Sequence, residues 1–160
     1  MLTAIVWGVS SPRPFAATLA DLVPAAVDGA LRDVVVVGLR DEGTCRAIAD
    51  QAGCRLLADS APAVHSSSLK GRWILLLQSG DRLPVDWLSA IDRHMSDQDG
   101  AARLVVERSH WPAWKRLIGR HPVAPLIARN EIARSQARSW LELASASHGP
   151  RLRAGRPHRD

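Results

Sequence analysis

Residues 73–84 read WILLLQSGDRLP, and this stretch decides the fold. Five apolar residues followed by Ser, Gly and Asp are typical of a short strand that is buried on both faces and ends in a turn. A second run of this kind is the four valines of residues 34–37, which end at Gly38. Because wholly apolar strands are typical of parallel sheets covered on both faces by helices, we expect these two strands side by side in one such sheet.

Helical and extended patterns alternate around these two strands. Further strands are predicted over residues 3–9, 55–57 and 101–106, and helices over residues 15–27, 45–51 and 85–95. Such alternation predicts an α/β fold with a largely parallel sheet flanked by helices. Beyond residue 106 the pattern weakens, and it predicts two helices over residues 111–118 and 127–143.

Length and charge predict one domain with a basic tail. The chain has 160 residues, 46% of them hydrophobic, which suits a single core. Its net charge is +5, but residues 151–160 alone hold four arginines and one aspartate, a net +3. Most of the positive charge therefore lies at the C-terminus, and we expect a single domain over residues 1–148 and a disordered basic tail over residues 149–160.

The two cysteines and the apolar segments predict a cytoplasmic protein. Cys45 and Cys54 form neither a CxxC pair nor a metal cluster, so we expect buried thiols in a reducing compartment. Residues 1–9 are apolar but lack a basic leader, and are predicted as a strand and not a signal peptide. No apolar run approaches the roughly 20 residues that span a bilayer.

Residues 78–88, QSGDRLPVDWL, resemble the family 2 glycosyltransferases of the GT-A fold. In that family an apolar strand runs into an Asp-any-Asp turn, which is followed by Arg-Leu-Pro and a helix that opens with Trp-Leu. Residues 4–9 and 34–37 resemble the family's first two strands, and residues 43–53 resemble the loop end and helix that follow. The resemblance spans residues 3–106 and implies transfer of a sugar from a nucleotide-diphosphate sugar to an acceptor.

The resemblance places the nucleotide at the carboxyl ends of the strands, where ligands of open α/β sheets bind. In the family, an acidic residue after the second strand contacts the base of the nucleotide. Gly38 stands at that position here, and Asp41 or Glu42 in the next loop is the candidate substitute. The predicted nucleotide-binding residues are Ser10, Gly38, Asp41, Glu42 and Ser79.

The metal turn departs from the family pattern. Its two aspartates correspond to Gln78 and Gly80, and Asp81 lies one place later. Asp81 is the candidate ligand for a divalent cation, Mg²⁺ or Mn²⁺, which would offset the charge of the leaving diphosphate. The alternative is that Asp81 caps the turn or the next helix.

No residue is assigned as the general base. The acidic residues of the second half do not lie in a recognisable motif; they are Glu107, Glu131 and Glu142. Two functions therefore stay open. One is an active glycosyltransferase, and the other is a catalytically inactive homologue that acts as a binding or regulatory module.

Residues 111–120 suggest a membrane contact. On a helix, Trp111, Trp114 and Ile118 would form an apolar stripe flanked by basic residues, namely Lys115, Arg116 and Arg120. Such a helix can lie on an anionic membrane surface. The resemblance to family 2 glycosyltransferases also implies that the acceptor could be a lipid-linked molecule at the inner membrane. The alternative is that both tryptophans pack on the sheet. No nucleic-acid partner is expected, because the sequence has no reading motif, no Tyr and one Phe.

Overall fold

The two apolar runs form strands of one sheet. The computed structural model describes residues 1–40, 43–98, 100–108 and 112–154. The strands in this part are β1 (Leu2–Trp7), β2 (Leu31–Val37), β3 (Arg55–Leu57), β4 (Trp73–Gln78), β5 (Asp81–Arg82), β6 (Ala102–Val105), β7 (Glu107–Arg108), β8 (Val123–Ala128) and β9 (Arg151–Leu152). The helices are α1 (Pro12–Val27), α2 (Thr44–Gln51), α3 (Pro62–His65), α4 (Trp87–Asp97), α5 (Ala113–Leu117), α6 (Arg129–Arg134) and α7 (Trp140–Ala146).

Seven strands make the main sheet, in the order β3-β2-β1-β4-β8-β6-β9. The first four are mutually parallel, β8 is antiparallel to both β4 and β6, and β9 is parallel to β6. The predicted α/β fold with a largely parallel sheet is confirmed. The two apolar runs are not direct neighbours, however: Val6 of β1 lies opposite Val36 on one side and Leu77 on the other. The first strand separates them because it is itself wholly apolar and completes its hydrogen bonds along both edges.

Helices cover both faces of this sheet. Leu75 and Leu77 point to one face, where they join a buried cluster with side chains of α1, α2 and α4. Ile74 and Leu76 point to the other face and join a cluster with side chains of α6 and α7. The strict alternation along β4 reflects the two-residue period of a strand, and explains why residues 73–77 are all apolar.

The helix predicted over residues 127–143 is wrong. Residues 123–128 form strand β8, which fills the place between β4 and β6, and only then do α6 and α7 follow, with a break at residues 135–139. The short apolar run suits a strand buried on both faces equally well, and periodicity alone does not separate the two cases. Pro125 is tolerated because the pairing of β8 with β4 covers residues 126–128 only, so Pro125 need not donate a hydrogen bond to β4.

The start of the predicted basic tail also differs. Arg151 and Leu152 of β9 pair with Arg103 and Leu104 at the end of the sheet. The Arg103 guanidinium donates two hydrogen bonds to the Gly149 carbonyl, at 2.9 and 3.1 Å, and ties this segment down. The sheet therefore extends to Arg151 and Leu152, whereas residues 155–160 lie outside the described part. None of the described helices combines the length and apolar character needed to cross a bilayer.

The two cysteines do not form a disulfide. Cys45 is buried in α2 and Cys54 is half-buried just before β3, so the expectation of buried thiols is met fully only at Cys45. Burial raises the pKa of the Cys54 thiol from 9.0 to about 11, and the nearby carboxylates of Asp33 and Asp50 add to the shift. Both causes disfavour the thiolate, which is the reactive form.

Alkylation of Cys54 should therefore be slow at ordinary pH. In the native protein the rate of carbamidomethylation at Cys54 should rise with an inflection near pH 11, and in the urea-unfolded chain near pH 9. Peptide mass spectrometry separates its signal from that of Cys45. A native inflection at or below pH 9 would contradict the assignment.

Candidate functional site

The carboxyl ends of four parallel strands meet at one edge of the sheet. Trp7 at the end of β1 lies opposite Gln78 at the end of β4, and Val37 at the end of β2 lies opposite Leu57 at the end of β3. We call the residues that follow these ends the carboxyl edge; they are residues 8–10, 38–40, 58–59 and 79–80. Parallel strands in register bring these four loops to one level, which is where an α/β sheet presents a ligand site.

The predicted nucleotide-binding residues fall partly on this edge. Ser10 is exposed, Gly38 is half-buried, and Ser79 is buried with 8% of its surface accessible. The Ser79 amide donates to the Trp7 carbonyl at 2.9 Å, which joins the end of β4 to the end of β1. Asp41 and Glu42 lie outside the described residues. The edge thus gathers Ser10, Gly38 and Ser79 from three separate parts of the chain.

A carboxylate occupies the place that a side chain at residue 38 would take. Gly38 has φ +65°, and a Cβ atom there would lie 3.0 Å from the Asp59 Cβ and 3.5 Å from its Oδ2. Both the backbone conformation and the close approach favour glycine. Asp59 follows β3, and its carboxylate stands over the end of β2. The chain therefore carries an acidic group at the end of the second strand, supplied by the neighbouring strand.

Sequence reasoning missed Asp59. The residue lies outside the strands and helices predicted from the sequence, and only the β2–β3 pairing brings it over Gly38. The available signal was its position: it comes two residues after a predicted strand, at the carboxyl end. Its side chain is 56% exposed and lies 3.9 Å from the Arg40 guanidinium, which is 89% exposed. Ion pairs this exposed are weak, so the carboxylate stays accessible to a ligand.

Asp81 is turned into the protein. Its side chain is 1% exposed. Oδ2 accepts a hydrogen bond from the Gln78 amide at 2.9 Å, and Oδ1 accepts one from the Arg108 Nε at 2.6 Å. The first contact caps the turn after β4, as the alternative interpretation of Asp81 expects. The second is a buried ion pair that joins β5 to β7.

The turn around Asp81 is also held from α1. The buried Thr18 hydroxyl donates to the Asp81 carbonyl at 2.9 Å and accepts from the Gly80 amide at 2.9 Å. Gly80 has φ +95°, a conformation that side-chain-bearing residues rarely adopt. Backbone and side-chain contacts therefore fix this turn in a single shape.

This arrangement does not fit a cation held by carboxylates. Both oxygens of Asp81 are engaged, Gln78 offers a neutral amide, and Gly80 has no side chain. Among the described residues, no three His, Cys, Asp or Glu side chains group together as metal ligands would. Mg²⁺ and Mn²⁺ prefer several oxygen ligands, carboxylates foremost.

A cavity of about 600 Å³ lies at the opposite edge of the sheet. It opens between the start of β4 and the end of β8, and none of the predicted site residues lines it. Its lining includes two exposed arginines, Arg72 and Arg129, together with Glu131. Arg129 already donates to the Leu69 carbonyl at 2.9 Å, and Glu131 opposes the positive charge, so the lining favours no one class of ligand.

No protein-family model and no curated protein matches this sequence. Solved structures match it over nearly its whole length. A nucleotidyl transferase from Methanothermobacter has 14% identity and a TM-score of 0.53, with 98% of this chain and 88% of that chain covered. 4-Diphosphocytidyl-2C-methyl-D-erythritol synthase from Anaerococcus prevotii has 9% identity and a TM-score of 0.62, with 96% and 89% covered.

A third similar structure carries ligands. Glucosyl-3-phosphoglycerate synthase from Mycobacterium tuberculosis, solved with Mn²⁺, UDP and glucosyl-3-phosphoglycerate, has 10% identity and a TM-score of 0.62, with 98% of this chain and 72% of that chain covered. The fold of this chain is similar to the folds of these three transferases. At identities this low, the similarity establishes the fold but not the activity, which has to be argued from the residues of the site.

The ion pair between Asp81 and Arg108 should dominate the stability of the turn. Replacement of Arg108 by Ala leaves a buried carboxylate without its cation and should lower the free energy of unfolding by about 3–5 kcal/mol. Arg40→Ala is the matched control, because it removes an exposed partner and should cost about 1 kcal/mol or less. Urea denaturation followed by circular dichroism measures both. Equal losses in the two variants would show that Asp81 does not depend on Arg108.

Proposed function

We propose that this protein binds a nucleotide-diphosphate sugar at the carboxyl edge and transfers the sugar to an acceptor. The observation that carries the proposal is the convergence of the ends of β1, β2, β3 and β4 at one level in a fold of this type. Transferases with the same fold support it, since one of them is solved with UDP at low sequence identity to this chain.

Asp59 is the residue that we assign to the base. Nucleobases such as uracil and guanine present ring N–H donors, and a carboxylate is an acceptor that holds them by charge-assisted hydrogen bonds. Asp59 offers an accessible carboxylate directly over Gly38, at the end of the second strand. This is the strand end at which the glycosyltransferase resemblance places an acidic contact to the base.

Arginines near the same edge would meet the diphosphate. Arg13 lies in the first turn of α1, after the loop that contains Ser10, and Arg40 comes two residues after Gly38; both are exposed. Guanidinium groups bind phosphate oxygens in a bidentate manner and keep their charge at all working pH values. When the sugar leaves, the bond between its anomeric carbon and the diphosphate oxygen breaks, and these cations would offset the charge left on the diphosphate.

One observation favours a second candidate, binding without transfer. The carboxylate nearest to the family's metal turn is committed to Arg108 and to the Gln78 amide, so it is not free to act on a substrate. A nucleotide-sugar-binding module would need the carboxyl edge but not that carboxylate. The two candidates predict the same ligand and differ only in turnover.

Replacement of Asp59 by Asn should weaken nucleotide binding about tenfold, the effect of losing one charge-assisted hydrogen bond at a partly exposed site. Isothermal titration calorimetry with UDP and with GDP measures the dissociation constant. Asp92→Asn is the matched control, because Asp92 is an exposed carboxylate on α4 and should leave binding unchanged. Undetectable binding of both nucleotides to the unmodified protein would refute the proposal.

Turnover separates the two candidates. The unmodified protein is incubated with UDP-glucose and with GDP-mannose, in EDTA and in MnCl₂. Water takes the sugar as the bond to the diphosphate breaks, and the released nucleoside diphosphate is measured. An active transferase should release diphosphate faster than the Asp59→Asn variant at the same substrate concentration. Binding by calorimetry with no release above the protein-free blank would select the binding module.

A further inference from the structure

The segment between β7 and β8 presents large apolar side chains to solvent. Trp114 is 58% exposed, Leu117 is 87% exposed and Ile118 is 60% exposed. The Ile118 amide donates to the Trp114 carbonyl at 3.3 Å, so the helical turn of α5 continues to residue 118. Positions 114, 117 and 118 are three and four residues apart, which puts these side chains on one face of the helix. We call Trp114, Leu117 and Ile118 the apolar tip.

Basic residues surround the apolar tip, and acidic residues are absent from its sequence. The Lys115 ammonium lies 5.6 Å from the centre of the Trp114 ring, and Arg120 is exposed two residues beyond Ile118. Residues 109–123 read SHWPAWKRLIGRHPV and contain no Asp or Glu. An apolar face with cations around it is complementary to a surface that is apolar below and negatively charged above.

From these observations we propose that the apolar tip docks onto an anionic lipid bilayer. Trp is the side chain that suits the membrane interface, and Leu and Ile enter the acyl boundary below it. Lys and Arg gain from the negative potential of anionic headgroups. A second copy of the chain fits less well. Even at about 250 Å² for a whole side chain, the exposed fractions of Trp114, Leu117 and Ile118 leave the tip at most about 500 Å² of surface, whereas stable protein interfaces bury about 800 Å² on each partner.

The predicted arrangement is only partly realised. Trp111 lies outside the described residues. Trp114 is largely exposed, so the alternative prediction that it packs on the sheet is wrong. Leu117, which that prediction did not include, is the most exposed member of the tip. Docking through this tip concerns α5 and the loop after it, whereas nucleotide binding concerns the carboxyl edge, so the two inferences stand or fall separately.

Vesicle flotation tests the docking. The unmodified protein is mixed with vesicles of phosphatidylcholine alone, or of phosphatidylcholine with phosphatidylserine, and the bound fraction is measured at increasing NaCl. Binding should require phosphatidylserine and should fall as salt screens the headgroups. Leu117→Ser should weaken the partition by about tenfold, since it removes the most exposed apolar side chain of the tip. Lys115→Gln should weaken it about fivefold.

Val27→Ser is the matched control, because Val27 is 80% exposed at the end of α1, far from α5 in the sequence. It should float as the unmodified protein does. Circular dichroism and thermal melts confirm that every variant is folded. The docking is refuted if the unmodified protein fails to float at low salt, or if Val27→Ser loses binding as much as Leu117→Ser does. It is also refuted if sedimentation velocity shows a dimer that Leu117→Ser dissociates, since the tip would then bind a second copy.

Discussion

The hydrogen bonds along both edges of β1 hold the molecule together. β1 pairs in parallel with β2 on one side and with β4 on the other. This pairing fixes the face of the sheet to which each apolar side chain of the three strands points. Both faces of this trio must then be covered, and the helices that follow each strand are drawn onto one face or the other. The site inherits its geometry from this constraint, because strands in register end at one level.

The turn after β4 shows how burial decides the role of a carboxylate. The Asp81 carboxylate, the candidate cation ligand in the sequence, points into the protein, where it caps its own turn and pairs with Arg108. Burial makes that pairing obligatory, since an uncompensated charge in the interior costs several kcal/mol. Asp81 is therefore a structural group, and in the proposed function the charge of the diphosphate is met by the exposed arginines.

At the carboxyl edge, a side chain that follows β3 fills the space beside a glycine that follows β2. Gly38 leaves the end of β2 without a side chain, and the space is taken by Asp59 from the end of β3. Neither residue is informative alone, because a glycine after a strand is common and an aspartate in a polar loop is more so. Their proximity makes the pair the most specific polar feature at this edge.

The amino-acid sequence by itself determined the α/β class, β1 to β4 and the helices α1 and α2, because continuous apolar runs and helical periodicity are local signals. It also placed Ser10, Gly38 and Ser79 at strand ends. Tertiary structure alone decided the order of strands, the role of residues 123–128 as β8, the pairing of Arg151 and Leu152 with β6, the inward turn of Asp81 and the approach of Asp59 to Gly38. Each of these depends on contacts between residues far apart in the chain. Such contacts do not produce a periodic pattern of apolar residues near either partner, so the local sequence does not predict them.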